Sequence, residues 1–298
     1  MFMKKIILFT IYICICTASH AEDSIGKKRY NMVTELNTIH LASATLIDEY
    51  LSSLPYKGFV LQYENNRFRY LTQKTDKISQ QSKIRLSLGT TLNPTNSAMI
   101  AYVALDYGYG VHYHFRPHRR LQLLVGSVLN FELGAKYQLR NVNMPLSVDL
   151  TGNMNFSFIL QHAIRAKKQE LLFQAAIRIP VIGCMFVPEQ GASYYEIFYM
   201  KNRTNTAHFS SIFYNKYGIN QTYTLEIPAG RSVWCVGITW DYVKYQANDL
   251  VFKRNMAGVL LGWRHHIISF AGKKNTAPVD FYTPYLQLDE DTKARKGK

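Results

Sequence analysis

Asp106, His112, His114, Glu132, Lys136, Asp149, Arg178 and Arg264 are the side chains whose types and spacing could do chemistry together. His112 and His114 are two residues apart, so on an extended chain both imidazoles point the same way. Two imidazoles begin a metal site, but zinc takes three or four protein ligands, and no third ligand follows at a recognisable spacing. Serine, histidine and Asp149 supply the residue types of a hydrolase. No Gly-x-Ser-x-Gly elbow or comparable motif selects a set from them, however. The reading therefore assigns no catalytic residue, no cofactor and no metal. Both charge signs occur in the set, which fits an ion-paired, largely filled interior better than a pore of one polarity. A second group, Arg140, Asn141, Asn143 and Glu196, is rich in turn formers and in one pairable Arg and Glu. It forms a candidate extracellular rim, either gripping a ligand or folding a loop over an opening.

Such a set can share an interior only if long strands carry it. Residues 99–137 read as one long β-hairpin. Ala101, Val103, Leu105, Tyr107, Tyr109, Val111, Tyr113 and Phe115 alternate with Ile100, Tyr102, Ala104, Asp106, Gly108, Gly110, His112 and His114. Successive side chains of a strand point to opposite faces, so one face is apolar and the other small or polar. Arg116, Pro117, His118 and Arg119 break the pattern, and Leu121, Leu123, Val125, Leu129, Phe131, Leu133 and Tyr137 resume it. The strands are roughly three times the usual ~5–6 residues, with aromatic ends on the apolar face. That pattern belongs to an outer-membrane strand with lipid on one side and a polar lumen on the other.

The first residues agree. Lys4 and Lys5 precede an uncharged apolar run over 6–16, and Ser19-His20-Ala21 fits small-x-small cleavage. The run is too short to span a bilayer, so it reads as a cleaved secretory signal. Bulky Ile13 and Ile15 before Cys14 and Cys16 argue against a lipoprotein. The chain has 21 tyrosines and only 18% charged residues, yet its mean hydropathy is slightly negative. Alternation yields that mixture, because half of each strand meets water. The formal charge of +15 becomes +13 once Lys4 and Lys5 leave. On an export route a basic surface meets anionic lipid headgroups or acidic glycans rather than nucleic acid. Cys184 and Cys235 remain, on strands that are not neighbours, and read as unpaired thiols.

Along the chain, 22–29 is a short polar leader and 30–42 a weakly alternating strand. Residues 45–56 could form a helical turn through Leu46, Tyr50, Leu51 and Leu54, or a structured loop. Further strands follow at 57–71, 84–92, the hairpin, 146–160, 171–179, 193–201, 208–217, 222–227, 234–242 and 257–270. The total is twelve, with ten as the alternative, since single-chain bacterial barrels have even strand numbers. Twelve strands put the turns at 116–119, 165–168, 202–206 and 229–230 in the periplasm. The segments near Asn141, Pro188 and Gln246 then lie outside the cell. Residues 271–298, rich in Lys and Arg, read as a polar disordered periplasmic tail.

Two stretches carry a resemblance. Arg140-Asn141-Val142-Asn143-Met144-Pro145 is one. The other is Pro180-Val181-Ile182-Gly183-Cys184-Met185-Phe186-Val187-Pro188, continuing to Gly191-Ala192-Ser193-Tyr194-Tyr195-Glu196-Ile197-Phe198. With Asp48-Glu49-Tyr50-Leu51-Ser52 and Tyr56-Lys57-Gly58, they resemble an uncharacterised family of outer-membrane barrels from gut Gram-negative anaerobes, one that carries a domain of unknown function. The resemblance covers most of 46–263. It departs at Glu49, Val142 and Met144, and implies a barrel in the outer membrane but no activity.

The expectation is an all-β, transmembrane, antiparallel up-and-down barrel over 30–270, after a signal at 1–21 and the leader at 22–29. The expected role is non-enzymatic: passage or binding of a small solute, or surface anchoring. The alternatives are an outer-membrane hydrolase acting on lipid or polysaccharide, and a soluble periplasmic β-protein. Outer-membrane lipids are the expected partners, with small solutes or anionic glycans as candidate ligands.

Overall fold

The computed structural model describes residues 29–72, 76–141, 144–166, 169–201, 205–229, 232–267 and 280–286. The strands are β1 (Arg29–Asn31), β2 (Val33–Asp48), β3 (Ser52–Tyr70), β4 (Ile78–Leu92), β5 (Met99–His118), β6 (Leu121–Gln138), β7 (Leu146–Ala166), β8 (Gln169–Phe186), β9 (Ala207–Ser211), β10 (Lys216–Ala229), β11 (Ser232–Ala247), β12 (Leu250–Ile267) and β13 (Asp280–Tyr282). Sequence neighbours pair antiparallel from β2 to β8 and from β10 to β12. The ring closes twice, β12 on β2 from Phe252↔Asp48 to Ile267↔Val33, and β8 on β10 from Arg178↔Asn220 to Leu172↔Glu226. Ten strands thus form the barrel, β2–β8 and β10–β12, while β9 pairs only with the far end of β8.

The alternation seen in the sequence is the wall. On β5, Val103, Leu105, Tyr107, Tyr109, Val111, Tyr113 and Phe115 are exposed, whereas Ile100, Tyr102, Ala104, His112 and His114 are buried. The β5–β6 register runs from Ala101↔Tyr137 to Phe115↔Leu123, with an irregularity before His118. Exposed apolar residues continue around the barrel through Ile39, Leu61, Leu86, Leu133, Leu150, Trp240 and Leu261. A closed ladder pairs the wall amides internally except where β8 and β10 part beyond Arg178, and the apolar belt outside it suits hydrocarbon. No helix among the described residues is long and apolar enough to cross a membrane. Cys184 is exposed and Cys235 buried, both unpaired.

The structure takes the count of ten rather than twelve for local reasons. Residues 193–201 do not extend, because Ser193 N and Oγ donate to the Glu196 carboxylate at 2.7 and 2.9 Å and Glu196 N donates to Ser193 Oγ at 3.2 Å. These reciprocal bonds curl the chain into a π-helical turn over Glu196–Met200. Residues 208–217 split between β9 and β10, and 222–227 belong to the same β10. With one strand fewer before them, Asn205 and Thr206 sit at the end opposite the termini, where 202–206 were expected on the periplasmic side. Residues 202–204 lie outside the described set. Residues 45–56 form neither helix nor loop. They are the ends of β2 and β3, joined by a short turn in which Tyr50 N donates to Asp48 Oδ1 at 3.1 Å.

The expectation of a disordered tail also needs correction over 280–286. β13 pairs parallel with β1, and residues 283–286 then enter the lumen. Tyr285 OH donates to Glu226 at 2.5 Å, Gln122 Nε2 donates to the Pro284 carbonyl at 2.7 Å, and Leu286 N donates to Gln161 at 3.0 Å. Tyr285 and Leu286 pack with Phe68, Leu124, Ile159, Ala163 and Leu172. Inward apolar positions that looked isolated in the strands thus form the seat of this segment. Cys235 is buried beside Glu226 at this end, so in the Cys184→Ser protein deleting 280–298 is expected to speed its labelling by a small water-soluble thiol reagent at least tenfold. If the truncated and full chains label at the same rate, residues 283–286 do not close that end.

Candidate functional site

Three layers fill the lumen. At the end away from the termini, Leu46, Tyr50, Leu51, Tyr56, Ile100, Met185, Val187, Tyr245, Leu250 and Phe252 form an apolar cap. Tyr50 OH ties it to the Ala192 carbonyl at 2.7 Å, and the Tyr194 hydroxyl accepts from Val148 N at 2.7 Å. Just beneath, the fully buried Lys136 ammonium lies 2.5 Å from Asp48 and 2.8 Å from Asp149, and 4.1 Å from the Phe252 ring centre. Ser147 Oγ donates to the same Asp48 oxygen at 2.8 Å.

Below the cap lies a polar chamber with a cavity volume of about 70 Å³. Its charged lining is Lys83, Arg85, Asp106, Glu132, Asp149, Arg178, Lys216, Asp241 and Arg254. Arg85 holds Glu64 at 2.8 Å and Asp241 at 3.4 Å, and Lys83 adds to Glu64 at 3.3 Å. Arg254 grips Glu132 with both terminal nitrogens and takes the Tyr102 hydroxyl oxygen at 2.7 Å. Two cations stand apart from these pairs. Lys216 donates to Asn153 Oδ1 at 2.9 Å but makes no ion pair among the described residues. Arg178, only 7% exposed, has neither hydrogen bond nor ion pair among them. Asp106 Oδ1, Asn155 Oδ1 and Asn220 Nδ2 are buried polar atoms likewise without a partner among the described residues.

The third layer is the tail seat. Glu226 accepts from Arg264 at 2.6 Å and from Tyr285, and the Arg264 guanidinium lies 5.0 Å from the Tyr285 ring centre. Gln122 donates one N–H to His114 Nδ1 at 2.7 Å and another to Pro284.

The sequence-picked residues therefore face one lumen but divide among its layers. Lys136 and Asp149 belong under the cap, Asp106, Glu132 and Arg178 to the chamber, and His114 and Arg264 to the tail seat. His112 Nε2 lies 3.0 Å from Ser157 Oγ, and His114 Nε2 lies 2.7 Å from Ser79 Oγ. The two imidazoles thus serve separate polar neighbours. Of the rim group, Arg140 donates to the Ser97 carbonyl at 3.3 Å, Asn141 Oδ1 accepts from Met144 N at 3.0 Å, and Glu196 caps its own turn. Asn143 lies outside the described residues. Asp48, Lys83, Lys216, Glu226 and Arg254 were missed. Period-two alternation carried through the true strand ends would have placed each of them inside.

A family model described as protein of unknown function (DUF3316) matches residues 6–274. Among curated proteins, none matches the chain. Solved structures with a similar outline include the outer membrane protease OmpT from Escherichia coli, at 7% identity and a TM-score of 0.48, covering 82% of this chain and 99% of that one. The transport unit of the autotransporter AIDA-I from Escherichia coli matches at 10% identity and a TM-score of 0.47, covering 88% and 97%. The translocator domain of the autotransporter NalP from Neisseria meningitidis matches at 6% and 0.35, covering 85% and 94%. At such similarity these likenesses carry no argument about activity.

Removing one member of a buried ion pair costs about 3–5 kcal/mol, because the partner charge stays buried and uncompensated. Lys136→Met leaves Asp48 and Asp149 facing each other and is expected to lose about that much in urea unfolding of the refolded protein. Adding Asp149→Asn should recover part of the loss. Equal midpoints for wild type and Lys136→Met would show that the triad contributes little.

Proposed function

The chain belongs to the DUF3316 family of proteins of unknown function, and we propose that it is a non-enzymatic outer-membrane barrel whose chamber binds a small solute carrying negative charge. Export by the N-terminal signal and an apolar outer wall support the compartment. The observation that carries the ligand reading is Arg178, a guanidinium withdrawn from water and left without an ion pair among the described residues. A buried charge is costly unless it is paired, so an anion arriving beside Arg178 and Lys216 gains most of its binding energy there.

The remaining charges sharpen the choice. Lys83, Arg85 and Arg254 are occupied by Glu64, Asp241 and Glu132, and Asp149 by Lys136. What is left facing the chamber is Arg178 and Lys216 against Asp106, two cations and one acceptor, with the single charge of Lys136 shared between Asp48 and Asp149 above them. A carboxylate or phosphate that also carries a hydrogen-bond donor fits this arrangement. Caps at both ends favour binding over free flow in this conformation.

A ligand at 100 times its Kd stabilises its host by about 2.7 kcal/mol. Phosphate, citrate and glutamate at millimolar concentration are therefore expected to raise the unfolding midpoint of the refolded barrel at constant ionic strength. Arg178→Met should lose the rise while keeping the heat-modifiable gel shift of a folded barrel. No rise with any of these anions, or an equal rise in Arg178→Met, would overturn the reading.

A further inference from the structure

The hydrogen-bond ladder that closes the barrel between β8 and β10 is interrupted partway along. β8 and β10 pair only up to Arg178↔Asn220. Beyond that, the Val181 carbonyl of β8 accepts from Ile212 N at 3.0 Å and β8 pairs with β9 from Ile182↔Ser211, while Lys216, Tyr217, Gly218 and Ile219 of β10 pair with β11 alone. Pro180 sits in the interruption and has no N–H to give. Opposite it, β7 and β8 shift register between Met154 and Asn155. What holds β8 to β10 here is packing: the Pro180 Cγ lies 2.8 Å from where a Cβ on Gly218 would stand. Only glycine allows that approach.

The chamber reaches this seam. Pro180, Gly218, Ile219 and Asn220 are part of its lining, and the unpartnered Asn155 Oδ1 and Asn220 Nδ2 flank it. The exposed set around the outside is apolar and aromatic: Ile182, Phe209, Phe213, Tyr214 and Tyr217. Phe213 and Tyr214 project from the turn that separates β9 from β10, where Ser211 N donates to Asn215 Oδ1 at 3.1 Å. This shoulder continues the lipid-facing wall formed by Met154, Phe156 and Ile238. Aromatic girdles mark the level of lipid headgroups on such barrels. Unpaired cations inside, an unbonded seam in the wall and an aromatic shoulder outside thus lie in sequence.

We propose that the Pro180–Gly218 seam is a lateral opening through which an anionic amphiphile of the surrounding leaflet places its headgroup in the chamber, its chains lying along the aromatic shoulder. The proposal rests on the anion-binding chamber and adds the class of ligand and its route. Lys216 and Arg178 receive the headgroup. Opening breaks no backbone hydrogen bond at Pro180, which distinguishes this position from its neighbours on the ladder.

The test uses the full chain with Cys184→Ser and Cys235→Ser, carrying Pro180→Cys and Gly218→Cys. The Pro180 Cγ and Cδ lie 2.8 and 3.2 Å from the place a Cβ on residue 218 takes, near enough for two cysteines there to be bridged. Native mass spectrometry from micelles would count bound phosphatidylglycerol against phosphatidylcholine. The reduced form is expected to retain phosphatidylglycerol at least tenfold over phosphatidylcholine. Oxidation should remove that preference and reduction restore it, while Lys216→Met lowers retention with the seam free. Phosphatidylglycerol held equally by the oxidised and reduced forms would overturn the lateral route. So would phosphate raising the unfolding midpoint with no lipid preference in either form, a result that leaves the chamber intact. Failure of both phosphate and lipid would instead remove the chamber reading itself.

Discussion

In hydrocarbon there is no water to satisfy an unpaired peptide group, so a sheet that crosses a membrane must close on itself. Every other feature of this protein follows from that constraint. β12 must meet β2 and β8 must meet β10, and closing ten strands fixes a narrow interior. The outward half of each strand can then be apolar, and the inward half must be polar yet neutralised at short range. Lys136 between Asp48 and Asp149, and Arg254 clamped on Glu132, are the consequence.

Neutralisation is nearly complete at both ends of the lumen and incomplete in the middle. Apolar packing around Tyr50 and Phe252 covers one end, and Tyr285 with Leu286 covers the other. Between them, Arg178 and Lys216 remain without ion pairs among the described residues. The functional reading rests on that imbalance. It also explains why both charge signs in the interior were a poor guide by themselves: most of the charges serve the wall, and only a few are left over.

The wall was legible in the sequence because alternation is a local property, visible in Val103 to Phe115 without knowledge of neighbours. Strand ends were not, since the 45–56 stretch has apolar residues at both helical and extended spacings, and only pairing with β12 decides between them. Misplaced ends hid Asp48, Lys83 and Arg254, so the ion pairs could not be assigned. The tail seat was invisible for a different reason. Its apolar residues, Phe68, Leu124, Ile159 and Leu172, are scattered over four strands, and nothing in residues 283–286 announces their partner. The curl at Ser193–Glu196 is local as well, but its serine and glutamate also suit a strand.

The most direct measurement is anomalous diffraction from crystals of the full chain soaked in molybdate. The account predicts a peak inside the barrel within contact of Arg178 and Lys216, absent from crystals of Arg178→Met. Peaks confined to the outer surface, with the chamber unchanged, would contradict it.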